Sequence, residues 1–180
     1  MNLHKGFSLI EMIVVLGIIA MLGTMLKLNF RSSATNTAAR HQVAFAVSSD
    51  IRRAQSMALS GSGYQGTPAC GFGVHYVSPT SYLLFVRKLV GGTCSAGTVL
   101  YPSAPYDAII ETKILQNKSM SFQAAFSDLY FSVPYAKGFL GGDSSPAQAP
   151  IAIQVIVTGT ASGPGTTLSI YQSGKIDVAN

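Results

Sequence analysis

The chain has 180 residues and a mass of 18.9 kDa, with 48% hydrophobic but only 11% charged residues, a formal net charge of +5 and a mean hydropathy of +0.35. That charged share is under half of the ~25% usual in soluble domains, which excludes a disordered tail, since disorder needs low hydrophobicity and high net charge. The length argues against a multi-domain enzyme and 2 cysteines exclude a disulfide-dense miniprotein; one globular unit remains, alone or joined to a strongly apolar segment.

In chain order, the apolar segment comes first. Residues 7–26 read FSLIEMIVVLGIIAMLGTML, with Glu11 the single ionisable side chain. About 20 apolar residues rising ~1.5 Å each span a hydrocarbon core of ~30 Å. The run is apolar on all sides, unlike a helix lying on a core, and we read it as a membrane segment. A cleaved secretory signal has a shorter apolar core of about 7–15 residues followed by small residues. Here Lys27, Asn29 and Arg31 follow instead, so no cleavage is expected behind the run. Before it stands the polar segment Met1–Gly6 with Lys5 as its firm charge. The positive-inside bias, with Lys27, Arg31 and Arg40 beyond the run, favours a cytoplasmic C-terminal side. Two cysteines in that part argue for an oxidising compartment, and we follow the cysteines. Residues 1–60 carry six Lys/Arg against two acids (+4), and residues 61–180 six against five (+1). The basic character belongs to the N-terminal third.

Beyond Arg40, Val43, Val47, Ile51, Ala54 and Ala58 recur at helical spacing on one face, with Asp50, Arg52, Arg53 and Gln55 on the others. Gly61-Ser62-Gly63 predicts the helix end. Ser32–Thr37 contains poor helix formers, so one long helix is expected, bent there, with a length of ~80 Å at 1.5 Å per residue. The pattern then becomes strand-like. Strands are predicted over Phe72–Val77, Ser81–Val90, Ala108–Leu115, Leu129–Val133, Ile151–Thr158, Thr167–Tyr171 and Lys175–Val178. Gly91-Gly92, Gly141-Gly142, Gly163-Pro164-Gly165 and Ser173-Gly174 punctuate them as turns. The Val43–Ala58 stripe should pack across an antiparallel sheet, since neither element can bury its apolar side alone. The expected fold class is therefore α+β.

Residues pointing to chemistry are few. Gly61-Ser-Gly-Tyr-Gln-Gly66 fits G-x-G-x-x-G, but a dinucleotide site needs a strand before it and a helix after it. The order here is reversed, and we read a turn. Of His4, His41 and His75, only His75 lies in the globular part, and it reads as a half-exposed strand residue rather than a catalytic base. Cys70, His75 and Cys94 lack the paired spacing of zinc ligands. Asp143 is a lone carboxylate, too few for calcium, and Asn117-Lys-Ser119 is a weak sequon. No cofactor or metal is expected. Cys70 and Cys94, both in Gly/Ser/Thr-rich sequence, are expected to form one disulfide; closing a loop of about 25 residues stabilises by roughly 3 kcal/mol in the chain-entropy account.

Glu11 is the residue that demands an explanation. A carboxylate inside an apolar run costs about 2–3 kcal/mol on insertion scales and is normally paired, unless it lies near enough to the interface to stay wet. No Lys or Arg is in reach on its own helix face. The sequence Lys5-Gly6-Phe7-Ser8-Leu9-Ile10-Glu11, followed by the apolar run, resembles the N-terminal signal of type IV pilins and pseudopilins. The resemblance covers roughly the first 30 residues. It implies cleavage between Gly6 and Phe7 by a membrane-embedded prepilin peptidase, N-methylation of Phe7 by the same enzyme, and a filament role for Glu11. In that family the new amine pairs with the glutamate of a neighbouring subunit, so two charges costly in lipid are neutralised when subunits meet.

A second likeness concerns Asp50–Leu59 and Leu168–Val178, which resemble the H-type minor pseudopilins and FimT-type minor pilins. It implies a long helix on antiparallel sheets, with residues 1–6 as leader, 7–30 as the membrane and filament-core half of the helix, 31–60 as its amphipathic half, and 61–180 as a β-rich head. The implied protein is no enzyme. It is a structural subunit, a minor pilin or pseudopilin, held by a single span in the inner membrane with its head outside the cytoplasm. From there it passes into a type IV pilus or a type II secretion pseudopilus. Its implied partners are other pilin or pseudopilin subunits, met through the N-terminal helix, the prepilin peptidase, an inner-membrane assembly platform and membrane lipid. Some FimT-type members bind DNA through Gly-Arg-x-Arg. The matching stretch here is Gly174-Lys175-Ile176-Asp177, with lysine and aspartate in place of the arginines, so a DNA-uptake pilin is the subordinate reading.

Overall fold

The computed structural model describes residues 8–94, 100–102, 104–142, 149–160 and 165–179; the side chains of residues 25–34 lie outside that description. Gly6, Phe7, Asp143 and Gly163-Pro164 fall among the residues not described. Among the described residues there is one helix, α1 (Leu9–Leu59). It is assigned without a break through Ser32–Thr37, so the weak helix formers there do not end it. By backbone contacts the chain divides into two compact units, Met1–Ala38 and Ala39–Asn180. Residues 39–59 of α1 therefore belong to the same unit as the strands.

Among the described residues that unit contains nine strands: β1 (Ala69–Ser78), β2 (Ser81–Lys88), β3 (Asp107–Ile114), β4 (Met120–Phe122), β5 (Leu129–Ser132), β6 (Lys137–Leu140), β7 (Ile151–Val157), β8 (Thr166–Ile170) and β9 (Ile176–Ala179). They form a five-stranded sheet in the order β3-β2-β1-β5-β6 and a four-stranded sheet in the order β4-β7-β8-β9. Every pairing is antiparallel. The fold is α+β.

The helical stripe read from the sequence is the side of α1 that the sheets cover. Val43 is 3% exposed, and Val47, Ile51, Ala54 and Ala58 are fully buried. They share one core with Phe72, Val74, Leu84 and Leu129 of the first sheet and Met120, Ile153, Val155 and Leu168 of the second. α1 closes with the two bonds of a Schellman motif, from the Gly61 amide to the Ala58 carbonyl (3.3 Å) and from the Ser62 amide to the Met57 carbonyl (3.2 Å).

β2 is buried on both faces. Tyr82, Leu84 and Val86 enter the main core, while Leu83 and Phe85 form a second cluster with Tyr130, flanked by Tyr101 and Phe139. Its near-continuous apolar run, YLLFV, follows from that double cover. β4 and β6 were not predicted. They have three and four residues, too few to display a period of two, and exist through pairing with β7 and β5. β1 begins three residues before its predicted start, and β2 stops at Lys88, because Leu89 turns away to donate to the Pro68 carbonyl (2.9 Å).

Candidate functional site

The N-terminal part of α1 begins at a defined point. The Ser8 carbonyl accepts from the amides of Glu11 (3.0 Å) and Met12 (3.2 Å), which makes Ser8 the cap and puts Glu11 in the first turn. Ser8-Leu9-Ile10-Glu11 has the spacing of a capping box, and an acid in the first turn interacts favourably with the positive end of the helix dipole. This local role of Glu11 was legible in the sequence and was missed. It accounts for a carboxylate at the helix start but leaves the surrounding surface unexplained. Leu9 (78% exposed), Ile10, Met12, Ile13, Val14, Val15, Leu16, Ile18, Ile19, Met21 and Leu22 are all exposed. Contiguous apolar patches beyond a few hundred Å² mark a surface that something covers. Among the described residues no helix is long and apolar enough to cross a membrane; the described side chains of the run end at Thr24.

In the head, the disulfide expected between Cys70 and Cys94 is present, with Cα atoms 5.7 Å apart. The Gly61–Gly66 segment is a turn. Tyr64 and Thr67 exchange two backbone bonds (2.8 and 3.0 Å) around Gln65 and Gly66, whose φ values of 51° and 75° are those of a two-residue type I′ turn. Gly66 suits that conformation and no phosphate cradle is formed by it.

His75 is half-buried, as read, but has a partner the sequence did not reveal. Its Nδ1–H donates to Asp128 Oδ1 (2.6 Å), and the other carboxylate oxygen of Asp128 accepts from the Tyr101 amide (2.6 Å). A separation of 53 positions in the sequence hid the pair. It pins the segment at Tyr101, whose ring lies 4.8 Å from that of His75. Beside it Arg87, 1% exposed, makes a two-pronged ion pair with Asp107: Nε to Oδ1 at 2.8 Å and Nη2 to Oδ2 at 3.0 Å. Nη2 also donates to the Leu100 carbonyl (3.1 Å). Burial opposes the charge on Arg87, but the hydrogen bonds and field of Asp107 overcome it and hold the guanidinium pKa above its ordinary value. These groups serve to fix the segment around Leu100 and Tyr101. Among the described residues no group of three or more His, Cys, Asp or Glu side chains stands close enough to hold a metal ion.

Polar contacts dock the last third of α1 on the first sheet. Tyr82 Oη donates to Asp50 Oδ2 (2.6 Å), and burial, followed by that bond and the field of Asp50, pushes the phenol far above its usual pKa. Arg53 and Lys113 both reach Glu111, at 3.0 and 2.6 Å, and their hydrogen bonds, that of Lys113 first, lower the carboxyl pKa. A cleft of about 220 Å³ lies here, lined by Val43, Val47, Asp50, Tyr82, Ile114 and Leu115 among others.

In the stretch compared with Gly-Arg-x-Arg, Lys175 pairs with Asp177 at 2.6 Å and sits over the Tyr171 ring. The hydrogen bond to Asp177 is the main reason its pKa lies above the ordinary lysine value. A cation neutralised by its own neighbour offers little to a phosphate.

No curated protein and no solved structure matches this chain. Residues 1–26 match the family model described as the prokaryotic N-terminal methylation motif, so the chain carries, over that stretch, the signal of a type IV pilin-like substrate of prepilin peptidase.

Proposed function

We propose that this protein is a structural subunit of an extracytoplasmic filament, a minor pilin or pseudopilin, made as a precursor with residues 1–6 as leader. Cleavage between Gly6 and Phe7 leaves an amine at Phe7, which is then methylated. Residues 7–30 cross the inner membrane once, with the head outside the cytoplasm, and later line the filament core. Residues 31–60 and 61–180 supply the amphipathic helix and the β-rich head. One observation carries the reading: the methylation-motif match at residues 1–26 falls on an apolar run whose single ionisable side chain is Glu11.

The physical argument is one of charge in a poor solvent. An amine and a carboxylate are each expensive to hold in hydrocarbon, and each neutralises the other when two copies or two kinds of subunit meet in register. The apolar flanks supply the contact area and the ion pair fixes the stagger. The partners are accordingly other pilin or pseudopilin subunits, the peptidase, the assembly platform and lipid.

N-terminal sequencing of the protein from its native membrane tests the processing step. A mature chain starting at methylated Phe7 is expected; a chain retaining Met1 refutes it. For the assembly step, Glu11→Ala is expected to remain in the membrane and to be processed, yet to be depleted from the sheared filament fraction. Wild-type yield of the variant there removes the role of Glu11. The DNA-uptake reading has less support, since Lys175 is engaged by Asp177.

A further inference from the structure

The two cysteines of the disulfide are not equivalent. Cys70 lies near the start of β1, between β2 and β5, and is 6% exposed. Its carbonyl accepts from the Val133 amide (2.9 Å), so its backbone is held by the sheet. Cys94 is exposed and lies just beyond the two-residue Gly91-Gly92 turn. Val90 and Thr93 close that turn with two 3.1 Å bonds, and the Leu89–Pro68 bond of 2.9 Å ties the same segment beside the start of β1. φ values of 60° and 78° at Gly91 and Gly92 suit glycine, which enters the left-handed region without a Cβ penalty. The backbone thus carries Cys94 to Cys70 by contacts other than the sulfur–sulfur bond.

We propose that Cys94 is the sulfur through which this disulfide is made and broken, and that Cys70 is the resolving sulfur, shielded from external reagents by the sheet. Thiol–disulfide exchange proceeds by attack of a thiolate on a disulfide sulfur, and access decides which sulfur reacts first. In the reduced protein the Cys94 thiol loses its proton and attacks an external disulfide RS–SR. A Cys94–S–SR bond forms, and RS⁻ leaves and takes up a proton. Deprotonated Cys70 then attacks the Cys94 sulfur, forming the Cys70–Cys94 bond and expelling the second RS⁻, which is protonated in turn. Two protein thiols are oxidised and one external disulfide is reduced to two thiols. Reduction retraces the path, with an external thiolate attacking Cys94 and Cys70 as the leaving group. The inference concerns the head alone and holds whether or not the chain enters a filament.

The test uses the full chain in detergent. Cys70→Ser and Cys94→Ser variants are reacted with an aromatic disulfide reagent, natively and in denaturant. Natively, the Cys94 thiol of the first variant should react at least about tenfold faster than the Cys70 thiol of the second, and the two should converge in denaturant, as access-limited exchange requires. In a second measurement that needs no variant, the wild-type protein is equilibrated with a mixture of reduced and oxidised glutathione. It is then quenched in acid, digested and mapped by mass spectrometry. Glutathione on Cys94 is the expected adduct. Native rates that are equal or favour Cys70, or adducts on Cys70 or spread evenly over both, overturn the assignment.

Discussion

Replacing Asp107 by alanine removes the carboxylate from one of the most deeply buried ion pairs of the head, in which Arg87 is 1% and Asp107 2% exposed. The guanidinium keeps its bond to the Leu100 carbonyl and its place 5.4 Å over the Tyr130 ring, but it loses two charge-assisted bonds and its counter-charge. Breaking such a pair from one side costs about 3–5 kcal/mol, because a charge is left in a medium that solvates it poorly. For a folded unit of this size ~1 kcal/mol moves the midpoint by about 2–4 °C, so a fall of roughly 10–15 °C is expected. Replacing both residues with leucine removes the stranded charge as well, and should recover at least half of the loss, since an apolar pair of similar volume is often no less stable. Thermal unfolding of the chain in detergent, followed by near-ultraviolet circular dichroism of its 8 tyrosines, measures both. The Asp107→Ala shift should persist in ~1 M salt, where the Debye length falls to ~3 Å but the pair stays shielded from ions. A single-variant shift below about 3 °C, or a double variant no better than the single one, refutes the reasoning.

Other perturbations have equally definite outcomes. Tyr82→Phe should cost about 1.5–3 kcal/mol, the value of a buried hydrogen bond to a charged acceptor; an unchanged midpoint would show that the bond to Asp50 is not formed. Gly73→Ala should destabilise by about 1–3 kcal/mol, because its methyl would meet the Phe85 ring and stand 2.6 Å from the Leu129 carbonyl oxygen; wild-type stability argues against that packing. Burial, with the field of Asp107 adding to it and Arg87 opposing, pushes Tyr130 up to about 12. Its folded-state pKa is thus above the unfolded value near ~10. Its contribution to stability is complete below about 10 and is lost as pH rises toward about 12. Absorbance near 295 nm should show Tyr82 and Tyr130 ionising late, together with alkaline unfolding, and early ionisation of all tyrosines contradicts this. Asp177→Ala should leave the thermal midpoint where it is, since the Lys175 pair is solvent-exposed; a clear fall would make that pair structural.

The stripe Val43, Val47, Ile51, Ala54 and Ala58 was legible because helical burial repeats every three or four residues within one short stretch. The helix end at Gly61 and the hairpin turn at Ser173-Gly174 were legible from local turn chemistry. What escaped was set by distance or brevity. Met120–Phe122 and Lys137–Leu140 are strands because of the neighbours they meet, and no periodicity announces three or four residues. His75 and Asp128 lie in different strand systems of the sequence and become partners only through the β1–β5 pairing, in which Val74 faces Leu129. Arg87 sits at the end of an apolar run, where a sequence reading expects an exposed charge; Asp107 makes its burial tolerable. For the N-terminal site the reverse holds. The residues on which the resemblance rests, Gly6, Phe7, Glu11 and the apolar run, are contiguous in the sequence, so no folding is needed to bring them together.

The shared core has a practical consequence for anyone cutting this protein. A fragment starting at Gly61, the natural boundary by composition, would lack Val43, Val47, Ile51, Ala54 and Ala58, and both sheets would present their inner faces to water. A water-soluble truncation has to start near Ala39, where the compact unit begins, and retain the Asp50 and Arg53 anchors.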